Sequence, residues 1–243
     1  MKPTIYLPIL SCLLICFLLP LGCTKEAPSF ICRITDVTGS VQLHKSGAAK
    51  PVDAQKGLKL GPGDRVMTGA KASVRLQFRD FATVVLGEKA LYVVTSQKTE
   101  KGKGIVETST ELLKGIGLVK VDKTKGKGFK IKTPHVITGV LGTEFGLEVE
   151  DGDDDDDDDD DDGHDEGRGL TSLAVIQGLV SFEGLGERLE VRGGWGARCN
   201  GFAPPGLVKK FSDLSTKLTN SLQGFIKEEA KGKGDLKTIF RYY

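Results

Sequence analysis

The chain reads as a mainly β protein, a sandwich or roll of about ten short strands followed by one amphipathic α-helix near the C-terminus. Three observations predict this. Short runs of alternating apolar and polar residues recur from Ile31 to about Arg198, with turn residues between many of them. Glycine fills 32 of the 243 positions, which favours many turns over long helices. Helical periodicity does not interleave with the runs, so the strands do not belong to alternating βα units.

In chain order, the first segment is an address. Lys2 precedes an apolar run from Ile5 to Leu19, and the sequence turns polar after Cys23. Residues 1–22 therefore read as a secretory signal. The run is interrupted by Pro8 and Ser11, followed by Pro20, and is shorter than the roughly 20 apolar residues a membrane-spanning helix needs. Leu21-Gly22-Cys23 resembles a bacterial lipobox, with Pro20 where that pattern prefers Leu. The resemblance implies cleavage before Cys23, acylation of its thiol, and residues 23–30 as a tether to a membrane. Simple secretion and a retained anchor helix are the alternatives.

The β segment spans 31–200. Ser73 to Arg79 alternates most clearly, with Val74, Leu76 and Phe78 on one face. Similar runs lie at Ile34 to Leu43, Val84 to Leu86, Leu91 to Val94, Leu118 to Val121, Phe129 to Ile131, Phe145 to Val149, Leu173 to Ile176, Leu179 to Phe182 and Leu189 to Val191. Gly63-Asp64 suits a tight turn whose carboxylate caps backbone donors. Pro134 keeps Thr133 extended and ends a strand. Gly142 allows close backbone approach beside Thr143, and Phe145 then enters the core. Cys32 and Cys199 flank the segment, and two readings stay open: a disulfide tying its ends together, or two unpaired buried thiols.

Charge is distributed unevenly. The formal net charge is +1, from 34 Lys and Arg against 33 Asp and Glu. From Glu150 to Glu166, however, 14 residues are acidic and none is Lys or Arg. This places an extended, solvated insertion at 150–169 within a hairpin. An EF-hand register puts Asp158, Asp160 and Asp162 at alternate ligand positions, but the closing Glu is replaced by Gly169 and no helices flank it. Weak, diffuse cation binding is the expectation, with no defined metal site. The tetrapeptide KGKG starts at Lys101, Lys125 and Lys231. These repeats read as solvated hairpin tips, or as a basic surface for an anionic polymer or lipid headgroup.

After Pro204-Pro205-Gly206, the residues Leu207, Phe211, Leu214, Leu218, Leu222 and Phe225 recur at helical spacing, predicting a helix over 205–231. It docks on its own domain or meets a partner helix. Residues 232–243 form an aromatic tail. No GxSxG, HExxH, CxxC or P-loop pattern occurs, and His44, His135 and His164 do not form a motif. The sequence therefore predicts no enzyme, no cofactor and no nucleic-acid partner.

The stretch from about Ile31 to Asn200 resembles a FecR domain. ITDVTGSVQL opens it, KGLKLGPGDRVMTGAKASVRLQFRDFATVVLGEKA follows, and FKIKTPHVITGVLGTEFGLEVE carries the most specific part, with Thr133-Pro134 and Gly142-Thr143. LAVIQGLVSFE and LEVRGGWGARC resemble the closing hairpin and the Gly-rich element after it. Asp80-Phe81 stands where the family usually has Asp-Gly, so that turn is expected to differ. The resemblance implies an exported module of bacterial envelope regulators. Together with the anchor, it predicts a non-enzymatic envelope lipoprotein, facing the periplasm or the cell surface, that contacts another envelope protein or senses a signal. A component of a sigma-factor regulatory relay and a binder of anionic wall polymer or lipid are the two alternatives.

Overall fold

The computed structural model describes residues 30–150, 169–208 and 213–230. Alternation along each run sorts side chains onto two faces, and pairing the runs builds two sheets that share one strand. The strands are β1 (Cys32–Thr38), β2 (Val41–His44), β3 (Val52–Asp53), β4 (Lys59–Leu60), β5 (Arg65–Thr68), β6 (Ser73–Phe78), β7 (Ala82–Leu86), β8 (Leu91–Glu100), β9 (Gly104–Val121), β10 (Gly128–Lys132), β11 (Ile137–Val140), β12 (Glu144–Glu150), β13 (Leu170–Gln177), β14 (Leu179–Gly184), β15 (Glu187–Arg192), β16 (Gly196–Cys199) and β17 (Gly206–Val208). The first sheet runs β4-β1-β6-β7-β9-β12-β13-β16-β17. The second runs β3-β2-β5-β8-β9-β10-β11-β14-β15. All these pairs are antiparallel except β9 with β10.

The 18-residue β9 joins the sheets. Its residues up to Lys114 pair with β8 and β10, whereas those from Gly115 onward pair with β7 and β12. The change falls at Gly115, whose φ is +84° and where a Cβ would lie 2.6 Å from Ala90 Cα. Only glycine combines that backbone with so close a neighbour. Inward-facing side chains of both sheets meet in one core. Phe129 receives Phe78 edge-on at 5.0 Å and Phe81 at 6.4 Å between ring centres. Burying each such ring contributes about 1.5–3 kcal/mol.

The mainly β class with a C-terminal helix is what the sequence predicts, but the strands are more numerous than about ten. The first part of β9 escapes an apolar-alternation test because two of its buried residues are Thr108 and Thr110. The two-residue β3 and β4 are too short to carry a period.

The predicted helix start is corrected. Gly206–Val208 forms β17, paired with β16, so Leu207 is an exposed strand residue. The helix α1 spans Thr216–Ala230. It lies on the outer face of the first sheet, where Leu214, Leu218 and Leu222 pack with Ile116, Leu118 and Ala174. Two glycines make room for it. A Cβ at Gly146 would come within 2.9 Å of Leu222 and 3.0 Å of Leu218, and one at Gly196 within 3.0 Å of Leu214. The apolar stripe thus covers the protein's own sheet, which leaves no open seam for a partner helix at these positions.

Cys32 and Cys199 are both free and buried. They belong to β1 and β16, which stand six strands apart in the first sheet. Five strands stand between them in that sheet, and neither thiol is bonded. The disulfide reading therefore gives way to the alternative of two buried thiols. Burial pushes the Cys32 thiol far above its ordinary range, which keeps it protonated and inert.

Replacing Gly115 with Ala is expected to destabilise the fold by about 2–4 kcal/mol, combining left-handed strain with steric overlap. Urea denaturation measures this. A change below about 0.5 kcal/mol would mean that the bend does not depend on glycine.

Candidate functional site

The sequence-predicted turn residues mostly do structural work. Asp64 is buried between β4 and β5, where it accepts from Gly61 N at 2.8 Å and Ser46 N at 2.9 Å and pairs with Lys45 Nζ at 2.6 Å. Gly63 supplies the left-handed residue before it. This is the capping role that Gly63-Asp64 suggests. Thr133, just after β10, accepts through Oγ1 from His135 N at 3.3 Å and Val136 N at 3.1 Å. Its hydroxyl also lies 3.0 Å from Thr171 Oγ1, which in turn lies 3.0 Å from His135 Nδ1.

A hydroxyl beside an imidazole has the atoms of a nucleophile and base. Here Thr171 is fully buried, so no substrate reaches it, and burial lowers the proton affinity of His135. The network instead fixes the Thr133-Pro134 corner onto β13. Cys199 is the strand partner of Thr171, and its thiol points to Ala203 O at 3.5 Å.

Gly142 and Thr143 lead to a surface feature. At Gly142 a Cβ would fall 2.5 Å from Lys123 Cα, so the β11–β12 turn lies directly against the segment after β9. Thr143 Oγ1 donates to Leu179 O at 3.1 Å and ties that turn to the start of β14. Beside them opens a groove of about 380 Å³ whose lining includes Asp80, Lys120, Asp122, Lys123, Glu144 and Gln177. Lys120 and Glu144 pair across it at 2.9 Å. A hydrogen bond from Lys125 holds the Asp80 carboxyl below its usual range, and one from Thr124 does the same for Asp122.

Two leucines stand next to this groove. Leu141 is 57% exposed and Leu179 is 48% exposed, one step beyond the Val140–Val180 strand pair. An apolar pair beside a mixed-charge groove has the chemistry of a protein contact, with an apolar centre and a polar rim. Periodicity alone does not reveal it. Leu179 was legible only as part of a strand, and Leu141 only as a residue next to a turn.

Glu148 is a second feature the sequence does not signal. It is 3% exposed, on the outer face of β12 beneath α1. Ser215 donates its hydroxyl to Glu148 Oε2 and accepts from Leu218 N at 3.1 Å, so one side chain both caps the helix and latches it to the sheet. Burial raises the Glu148 carboxyl above its ordinary range. The Ser215 hydrogen bond opposes this, Glu150 adds to it, and Lys217 and Arg198 oppose it further.

The first KGKG repeat lies at the tip of the antiparallel β8–β9 hairpin, as expected, whereas the second is not a hairpin tip: it lies in the connection between the parallel strands β9 and β10, running from a short 3-10 turn at Lys123–Lys125 into β10. The third repeat, Cys23, and Asp158, Asp160 and Asp162 lie outside the described residues. Among the described residues no helix is long and apolar enough to cross a membrane.

Residues 64–181 match the family described as FecR protein. That match contains every residue of the groove as well as Leu141 and Leu179. No curated protein matches the chain. Two crystal structures titled "putative anti-sigma factor", from Parabacteroides distasonis ATCC 8503, are similar to it with a TM-score of 0.43 and 14% sequence identity. The similarity covers 59% of this chain and 57% of theirs, so the chain spans little more than half the length of those proteins.

Removing the Ser215 hydroxyl by Ser215→Ala leaves a buried carboxylate without its donor, with an expected loss of about 1–3 kcal/mol in chemical denaturation. The raised Glu148 pKa also fixes a sign. Its contribution is fully present below the ordinary value of 4.5 and is lost as pH rises through the folded-state value. Melting curves recorded from pH 4.5 to neutrality should therefore fall for the natural chain relative to Glu148→Gln. Parallel curves for the two proteins would refute the assignment.

Proposed function

We propose that this protein is a non-catalytic, lipid-anchored module of the bacterial cell envelope that contacts another envelope protein as part of a signalling relay. The observation that carries the reading is the FecR match over residues 64–181, which holds the groove and its exposed leucine pair in one segment. The fold supports a contact role in a second way. Helix α1 already covers part of the outer face of the first sheet, while Ile137, Leu141 and Leu179 of the second sheet's outer side remain exposed. Large side chains left in water at a cost are what a transient partner covers.

The anchor reading rests on the residues around Cys23. Acylation there would hold the domain at a membrane surface, within reach of integral envelope proteins. In a relay, this chain would bind or release its partner, and crossing the membrane would fall to that second protein.

Site-specific photo-crosslinking in the native cell tests the contact. A crosslinker at position 141 is expected to capture a discrete envelope protein, and Leu179→Glu should reduce capture at least tenfold while leaving the melting temperature unchanged. An undiminished product in the Leu179→Glu chain would defeat the groove assignment. The anchor is read separately: an inhibitor of the lipoprotein signal peptidase should accumulate the unprocessed chain, and Cys23→Ser should abolish incorporation of labelled palmitate.

A further inference from the structure

We infer that the end of the sandwich where the chain enters from Cys23 is a binding surface for anionic phospholipid headgroups. The inference rests on the lipid-anchor reading for its geometry but not for its chemistry. Phe30 is the first described residue, and two cations lie over its ring: Lys59 Nζ at 4.7 Å and the Arg79 guanidinium at 5.1 Å from the ring centre. Arg79 Nη2 also reaches Phe30 O at 3.5 Å. Phe30 thereby fixes the direction of entry and holds both cations at the same rim.

Around it lies an open recess of about 670 Å³ whose lining adds Arg33, Lys127 and the β8–β9 hairpin residues Gly104 and Ile105. Lys125 stands beside it through its 3.1 Å pair with Asp80. The group thus carries five cations and one carboxylate. Asp80 pairs with Lys125 and, at 4.0 Å, with Lys127, whereas among the described residues no carboxylate pairs with Arg33, Lys59 or Arg79. The first two KGKG repeats flank this end of the sandwich, Lys101 and Lys103 from one loop and Lys125 and Lys127 from the other. Sequence positions from 33 to 127 converge here, so a scan along the chain sees only scattered basic residues.

Distance selects the occupant. Seven Cα-to-Cα steps lead from Cys23 to Phe30, so the tether spans at most about 25 Å when extended. An acylated Cys23 would therefore keep this rim close to headgroups, where a tethered patch meets phosphate at high effective concentration. Lipid phosphates also suit the geometry, because separate cations spread along a rim address a field of headgroups rather than one bound ion. Each basic side chain near an anionic surface is worth roughly fivefold in affinity. The mature chain from Cys23 onward is neutral overall, with 33 basic and 33 acidic residues, so any such binding must come from local segregation of charge.

The test uses the mature chain beginning at position 23 with Cys23→Ser, which removes the acyl chains, and sedimentation with vesicles. Binding to phosphatidylglycerol-containing vesicles is expected in low salt, with none to pure phosphatidylcholine and loss at raised ionic strength. Arg33→Gln with Lys59→Gln should weaken it about 25-fold. Lys71→Gln with Lys89→Gln, matched in charge at the opposite end of β6, should leave it unchanged. Equal loss in the two double variants, binding to neutral vesicles, or binding only to soluble polyphosphate would each overturn the proposal. Since the Cys23→Ser variant carries no acyl chain, a failed palmitate label on the natural chain would sink the anchor reading and leave the vesicle result standing.

Discussion

One bend organises this molecule. Strand β9 serves both sheets, and it does so because Gly115 takes a left-handed conformation against Ala90, where any side chain would overlap the neighbouring backbone. Everything else is arranged around that joint. The residues before it gather β8, β10, β11, β14 and β15 into one sheet, and those after it gather β7, β12, β13, β16 and β17 into the other. The fold back of one sheet over the other creates the aromatic core around Phe129, and it also decides which two faces remain outside.

Those outer faces have different fates. On the first sheet, small residues at Gly146, Ala174 and Gly196 leave a bed into which Leu214, Leu218 and Leu222 settle. Packing of this kind is shape-dependent, since the leucine methyl groups approach the two glycines to about 3 Å of where a side chain would begin, and an added carbon would require them to shift. The bed is not purely apolar. Glu148 sits in it, answered by the Ser215 hydroxyl that starts the helix. A buried carboxylate is costly unless fully partnered, and burial accordingly raises the Glu148 carboxyl above its ordinary range. The second sheet has no covering helix among the described residues, and its exposed Leu141 and Leu179 lie beside a mixed-charge groove.

The functional picture follows from that asymmetry. A face already covered by the chain's own helix is a poor site for a partner, while an open apolar pair rimmed by charge is a good one. The basic rim around Phe30 lies at yet another place, where the tether enters, and its charges address the surface to which Cys23 would attach the protein. On the proposed reading, orientation at the membrane and contact with a partner would use separate surfaces of one β body.

Much of this was legible in the order of residues. Period-two alternation located β6, β7, β10, β12, β13 and β14, because alternation is a local signal carried by neighbouring residues, and Gly63-Asp64, Thr133-Pro134 and Gly142-Thr143 fall at the turns their chemistry suggests. The separation of an acidic tract from the rest of the charge is likewise a property of sequence alone. What sequence left open was decided by contacts between distant segments. Strand order set Cys32 and Cys199 six strands apart, where nearness to the two ends of the domain had allowed a bond. Pairing with β16 turned Leu207 into a strand residue, although its spacing fits a helix. Only the tertiary structure could bury Glu148 under Ser215 or draw Arg33, Lys59, Arg79 and Lys127 around one recess, since burial and charge clustering depend on which strands lie side by side.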